Sequence, residues 1–242
     1  MSGHSKWATI KRAKEINDAK RGNLFTKFGN NITIAARQGS GDLDTNFQLR
    51  LAVEKAKSVN MPKENIERAI KRGTGEVAGG IIEELTYGAL LPGQVAVIIK
   101  CLSDNKNRAL TEVKNAIIKN GGQFVELNSI AWQFERQGVI KTLKKENSGT
   151  LTQEELEIEI INSGAKDYIE DDEETIIYTA PEELQKIKEN LEKNKIKISS
   201  ADLEMIAKET KEVDDIMLEK VTKVLNALDE LDDVNDYYTN LK

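Results

Sequence analysis

An α+β protein of three domains follows from three observations on the sequence. Apolar spacing is helical up to about residue 76 and becomes strand-like from Ile82. Residues 137–204 alternate strand and helix in the order βαββαβ, and a helix and a strand are left over at the end of the chain. Together they predict a small helical N-terminal domain over 1–76, followed by two ferredoxin-like-type α/β sandwich domains. The middle one is discontinuous, over 77–136 and 205–242, and the last, over 137–204, is inserted into it.

The helical domain reads as four short helices. Residues 6–20 have high helix propensity, with Lys20 and Arg21 before a stop at Gly22. Its apolar residues Trp7, Ile10, Ala13 and Ile16 advance by threes and form no broad stripe, so packing alone holds this helix weakly. Leu24, Phe28, Ile32 and Ala35 or Ala36 share a face before a stop at Gly39, and Leu49, Ala52, Val53 and Ala56 make a third stripe. Pro62 opens a fourth helix at its first position, with Ile66, Ala69 and Ile70 inward and Lys71, Arg72 and Gly73 closing it. The tract GTGEVAGGIIEE then reads as a linker.

LTYGAL and QVAVIIKCLS read as strands joined through Pro92-Gly93. Ser103 or Asp104 caps a helix with Leu110, Val113 and Ile117 on one face, ending at Asn120-Gly121-Gly122. In SIAWQFE, Ile130, Trp132 and Phe134 alternate as in a half-buried strand. The inserted domain follows as strand VIKTL, a helix over 153–163, strand KDYI, an acidic turn, strand TIIYT, a helix over 181–193 and strand IKIS. Thr152 with Glu155 marks the first helix start as a capping box, and Pro181 marks the second, with Leu184, Ile187 and Leu191 inward. Met217, Val221, Val224, Leu228 and Leu231 then define the tail helix, and the strand around 234–239 completes the middle sheet.

Charge divides the chain as sharply as periodicity does. The net charge of −6 would not suggest a polyanionic partner, yet residues 1–75 carry 15 Lys and Arg against 7 Asp and Glu, while the other 167 carry 20 against 34. Lys6, Lys11, Arg12, Lys14, Lys20, Arg21 and Lys27 face only Glu15 and Asp18 in the first thirty residues, and Arg37, Lys71 and Arg72 extend the set. A basic end on an acidic body is steered to polyanions by its own dipolar field; the same charges also suit an ordinary solvated helix face. Thr9, Asn17, Asn23 and Thr26 add neutral donors for phosphate oxygens. Trp7 either stacks on an exposed base or packs with its apolar neighbours. Lys106 and Arg108 form a smaller second patch.

Catalytic and metal chemistry find little to work with. His4 and Cys101 are the only imidazole and thiol, so no Cys/His zinc site can be assembled and no metal or other cofactor is expected. Cys101 lies in a strand beside Ile99 and Leu102 and reads as core. The acidic run over 171–174 occupies a solvated hairpin tip, not a catalytic dyad. One cysteine allows no internal disulfide, MSGHSKW lacks the apolar core of a secretory signal, and the longest apolar run is broken at Lys100. A cytoplasmic protein without a membrane partner is expected. No zinc-finger spacing, basic zipper or RNA-recognition aromatic pair supports sequence-specific readout. Nothing in the sequence fixes an oligomeric state.

Six blocks carry a resemblance across nearly the whole chain: GHSKWATIK at 3–11, DAKRGNLFTK at 18–27, NMPKENIERAIKRGTG at 60–75, SDNKNR at 103–108, AWQFERQGVI at 131–140 and YYTN at 237–240. In this order they resemble the YebC/PmpR family. The resemblance implies a cytosolic, non-enzymatic protein with a helical first domain and two α+β domains. It implies a DNA-binding transcriptional regulator, or, by the family's similarity to mitochondrial translational activators, a translation factor docked on structured RNA in the ribosome. Leu91 stands where the family usually has glycine, and Gln137 where it usually has a basic residue. These departures touch the middle hairpin and the interdomain strand, not the basic helix.

Overall fold

The computed structural model describes residues 21–147, 152–171 and 173–242. The chain divides into two compact units, one running to Phe134 and resuming at Ala207, the other spanning Glu135–Ile206. The architecture is α+β, with a helical region ahead of two four-stranded antiparallel sheets.

Three helices are described in the helical region: α1 (Arg21–Gln38), α2 (Phe47–Ser58) and α3 (Lys63–Thr74). Ile32, Ala35 and Ala36 of α1 pack with Leu49, Val53 and Ala56 of α2, with Ile66 and Ala69 of α3 and with Met61. Asn46 caps α2: its Oδ1 accepts from Leu49 N at 3.0 Å, while its Nδ2 donates to the carbonyls of Ala35 and Ser40 at 2.8 and 2.7 Å. The turn after α1 is thereby tied to the start of α2. The helix expected over 6–20 lies outside the described residues, and Gly22, expected as its stop, is in the first turn of α1.

Two assignments change at α3. Pro62 is the cap and not the first helical residue, and Gly73, expected to close the helix, lies inside it and is buried; Gly75, at φ 83°, ends it. A β-carbon at Gly73 would stand 2.4 Å from the Thr33 carbonyl oxygen and 2.7 Å from Ala36 Cβ. Only glycine lets α1 and α3 approach this closely, and Thr33 Oγ1 bridges them by donating to the carbonyls of Gly29 and Ala69 at 2.9 and 3.1 Å.

The first unit's sheet is built from β1 (Glu83–Leu91), β2 (Val95–Ser103), β3 (Gln123–Val125) and β8 (Val234–Thr239), in the order β3-β1-β2-β8. β8 joins β2 through pairs such as Ile98 with Tyr238, so the tail strand completes the sheet across a separation of 140 residues at that pair. Leu91, Val97, Ile99 and Cys101 pack with Val113 and Ile117 of α4 (Lys106–Lys119) and with Val221, Val224 and Leu228 of α9 (Asp215–Asp229). Ile34 meets Ile82 and Leu102 in a small separate cluster, which seats α1 on the strand end.

Several local expectations are corrected here. Asn105, not Ser103 or Asp104, caps α4 by accepting from Arg108 N at 3.0 Å, because Ser103 Oγ is turned to Asp233. Ala109 faces inward, whereas Leu110 is 38 % exposed. SIAWQFE is not one strand: α5 (Asn128–Ala131) is a helical turn, Trp132 is 68 % exposed with Nε1 donating to Ser129 O, and the strand β4 (Phe134–Leu143) begins only at Phe134.

Cys101 is fully buried, and burial first, then the negative charge of Asp233, pushes its thiol up to about 12; Lys27 opposes this. The folded state therefore favours the neutral thiol. Its contribution to stability is constant below the unfolded value near 9 and is lost as pH rises from there towards 12, by about 1.4 kcal/mol per pH unit. The native protein should be inert to a disulfide-exchange reagent at pH 8, and the urea midpoint of the wild type should fall more steeply above pH 9 than that of Cys101→Ala. Parallel pH profiles would refute the assignment.

The second unit contains β4, α6 (Lys144–Asn147), α7 (Gln153–Asn162), β5 (Asp167–Glu170), β6 (Glu174–Thr179), α8 (Leu184–Lys193) and β7 (Ser200–Ala207), with sheet order β5-β6-β4-β7. Counting strands from β4, this order is 2-3-1-4, the ferredoxin-like arrangement. Ile140 opposite Ile177 and Val139 opposite Tyr178 put apolar side chains on both faces. The capping box at Thr152 and Glu155 is present. Pro181 lies in a turn and α8 starts at Leu184, while the last strand is Ser200–Ala207 and not IKIS. Among the described residues no helix is long and apolar enough to cross a membrane.

Candidate nucleic-acid interface

Lys6, Trp7, Lys11, Arg12, Lys14 and Lys20, the bulk of the expected basic surface, lie outside the described residues, and Arg21 opens α1. The described cations follow different fates. Lys27 Nζ donates to the Asp229 carbonyl at 3.0 Å, placing a cation at the C-terminus of α9, where the helix dipole favours it. One turn on, Asn31 Nδ2 donates to Asn235 Oδ1 at 2.9 Å, so this stretch of α1 is committed to the junction with the sheet.

Arg37 and Arg72 converge on the segment that follows α3. Arg37 Nη2 donates to the Ile82 carbonyl, and Arg72 Nη2 donates to the Gly80 carbonyl at 3.0 Å. Residues 75–82 thus lie as a strap across two guanidinium groups. Gly79 is where the strap comes closest: a β-carbon there would be 2.6 Å from Arg72 Nε. Lys71 points to solvent. The recess under the strap has a volume of about 310 Å³ and is lined by Thr33, Arg37, Arg72 and strap residues.

The second expected patch resolves into ion pairs. Lys106 Nζ lies 2.6 Å from Glu83, and Arg108 uses Nε and Nη2 on the two carboxylate oxygens of Asp233 at 3.0 and 2.9 Å, with Asp104 at 3.1 Å. Hydrogen bonding to Asp233, then its charge, with Asp104 adding to both, raises the Arg108 guanidinium above its ordinary value. Asp233 is buried and also accepts from Ser103 Oγ at 2.9 Å, so Arg108 clamps the start of α4 to the start of β8. Arg108→Ala is expected to cost about 1–2 kcal/mol in urea unfolding, a value kept low because Arg108 is itself half exposed. Arg108→Lys should restore less than half of the loss, since an ammonium cannot supply the two-pronged contact. Full restoration by lysine would contradict the clamp.

The sequence marked Arg37 and Arg72 by charge but did not bring them together. Gly79 held the usable signal, because close backbone approach to the flat Arg72 side chain needs it.

Comparison with known proteins places the chain in a family. Residues 5–76 match a family model described as the TACO1/YebC protein N-terminal domain, and residues 82–241 match one described as the TACO1/YebC second and third domain. The chain is 44 % identical over 242 residues, covering 100 % of it and 94 % of the relative, to a probable transcriptional regulatory protein of Pseudothermotoga lettingae. It is 46 % identical over 245 aligned positions to one from Persephonella marina, covering 100 % of this chain and 96 % of that one. A crystal structure of a conserved hypothetical protein from Aquifex aeolicus matches with a TM-score of 0.85 at 42 % identity, over 93 % of this chain and 91 % of the other.

Proposed function

Because the chain belongs to the TACO1/YebC family, we propose that it is a non-enzymatic, nucleic-acid-binding regulator of gene expression that grips duplex DNA by its phosphate backbone. The basic face of the N-terminal helical domain supplies the grip. The observation that carries this reading is the segregation of charge: 15 Lys and Arg against 7 Asp and Glu in residues 1–75, and the reverse imbalance beyond. Such a distribution presents one end to a polyanion and repels it from the other. The naming of relatives as probable transcriptional regulatory proteins favours DNA as the partner. Lys11, Arg12, Lys14, Lys20 and Arg21 are the principal phosphate contacts, with Lys6 and Lys71 supporting them.

Binding of this kind is salt-steep. The logarithm of the affinity for duplex DNA should fall against the logarithm of salt concentration with a slope of about −0.9 for each phosphate neutralised. A slope near zero would rule out the phosphate grip. One observation favours a second reading, docking on structured ribosomal RNA: the basic residues come without a pattern that reads base edges, and a partner recognised by shape and phosphate requires none.

A further inference from the structure

We infer that the recess beneath the 75–82 strap seats one phosphate group of a nucleic-acid strand. The inference rests on the phosphate-gripping function proposed above and adds a position inside the fold, apart from the N-terminal cations. Its volume, about 310 Å³, is at the lower end of the roughly 300–1,000 Å³ of small-molecule sites. Two guanidinium groups line it, and its described lining holds no carboxylate. The carboxylates nearby have partners of their own: Glu76 accepts from Thr74 Oγ1, Glu83 pairs with Lys106 and Asp104 with Arg108.

An arginine carries five N–H donors, and the strap carbonyls of Gly80 and Ile82 take one from each residue. Arg72 Nε is enclosed and has no hydrogen-bond partner. That nitrogen is covered by Gly79, so it is the remaining Nη donors of Arg37 and Arg72 that suit a tetrahedral oxyanion with its several acceptor oxygens. Val77 and Ile81, 41 % and 72 % exposed, add apolar contact for the sugar or base attached to that phosphate. Arg37 and Arg72 are therefore strap anchors and phosphate ligands together.

The test uses the full chain with 15N-labelled arginine side chains and follows the Arg72 Nε–H signal during titration with inorganic phosphate, then with a short single-stranded oligothymidylate. Exposed Ala78 lines the recess, so Ala78→Glu adds a competing carboxylate with little risk to folding, and Ala78→Gln is its neutral control. Phosphate should move the signal in the wild type and in Ala78→Gln but not in Ala78→Glu. The oligothymidylate should displace phosphate and bind Ala78→Glu about tenfold more weakly than Ala78→Gln. An Arg72 signal unmoved by phosphate would overturn the seat. Strand binding that is lost on charge reversal at Lys11 and Arg12 yet equal in both Ala78 variants would sink this inference alone. Phosphate binding without any strand binding would overturn the strand as its source and leave the duplex grip to be judged by its own salt series.

Discussion

Gly73→Ala is expected to destabilise the helical region by about 1–2 kcal/mol, read as a lowered urea midpoint. Position 73 is interior to α3, where alanine by itself would gain roughly 1 kcal/mol from helix propensity. Against that gain, the new β-carbon would meet the Thr33 carbonyl at 2.4 Å and Ala36 Cβ at 2.7 Å. Both belong to the α1 framework, so no flexible side chain can swing away, and overpacking of this kind costs about 1–3 kcal/mol or more. The strain cannot stay local, because Ile34 on α1 is packed with Ile82 and Leu102. Gly29→Ala in the same helix is the contrast: its β-carbon would lie 3.7 Å from Met61 Cε, an ordinary contact, so that variant should be neutral or stabilised by up to about 1 kcal/mol. Equal midpoints for the two variants would show that the α1–α3 approach is not as tight as described.

Reversal of charge at Lys11, Arg12, Lys20 and Arg21 is expected to have the largest functional effect, a loss of duplex-DNA affinity of at least about 100-fold near physiological salt. Each removed contact should also flatten the salt dependence by about 0.9, so the quadruple variant should lose between three and four units of slope. The useful contrast is Lys106→Gln. Its ammonium is held by Glu83 at 2.6 Å, so affinity should stay within about twofold of the wild type. Measured by fluorescence anisotropy over a salt series, equal losses at Lys106 and at the four N-terminal cations would reduce the interface to bulk charge.

The fold was legible where periodicity and topology act together. A tail helix and strand without local partners required an unfinished sheet, and β8 does pair with β2. The order of strands and helices from residue 137 onward defined the split βαβ arrangement of the second unit. Legibility failed where several residues compete for one local role. Ser103, Asp104 and Asn105 are all good caps, and the choice fell to Asn105 because Ser103 is engaged by Asp233, 130 positions away. Ile130, Trp132 and Phe134 alternate like a strand, but α5 turns the first of them inward and leaves the indole in solvent.

The candidate site shows the same limit more strongly. Charge is written in the sequence, but the partner of each charge is not. Arg108 looked like a surface cation and is a structural clamp on Asp233; Lys27 looked like part of the basic face and reaches a helix end in the sheet region. Arg37 and Arg72 were counted among the phosphate contacts without any indication that a glycine strap joins them. Long-range pairing, not residue type, separates binding cations from structural ones.

The central claim, a nucleic-acid partner that is DNA, is tested most directly by sedimenting the protein from lysate through sucrose gradients, with DNase-treated and RNase-treated halves run side by side. The account predicts association that DNase abolishes and RNase leaves intact, accompanied by retention on duplex DNA. Migration with ribosomal particles that survives DNase and collapses after RNase would contradict it and establish the translational reading in its place.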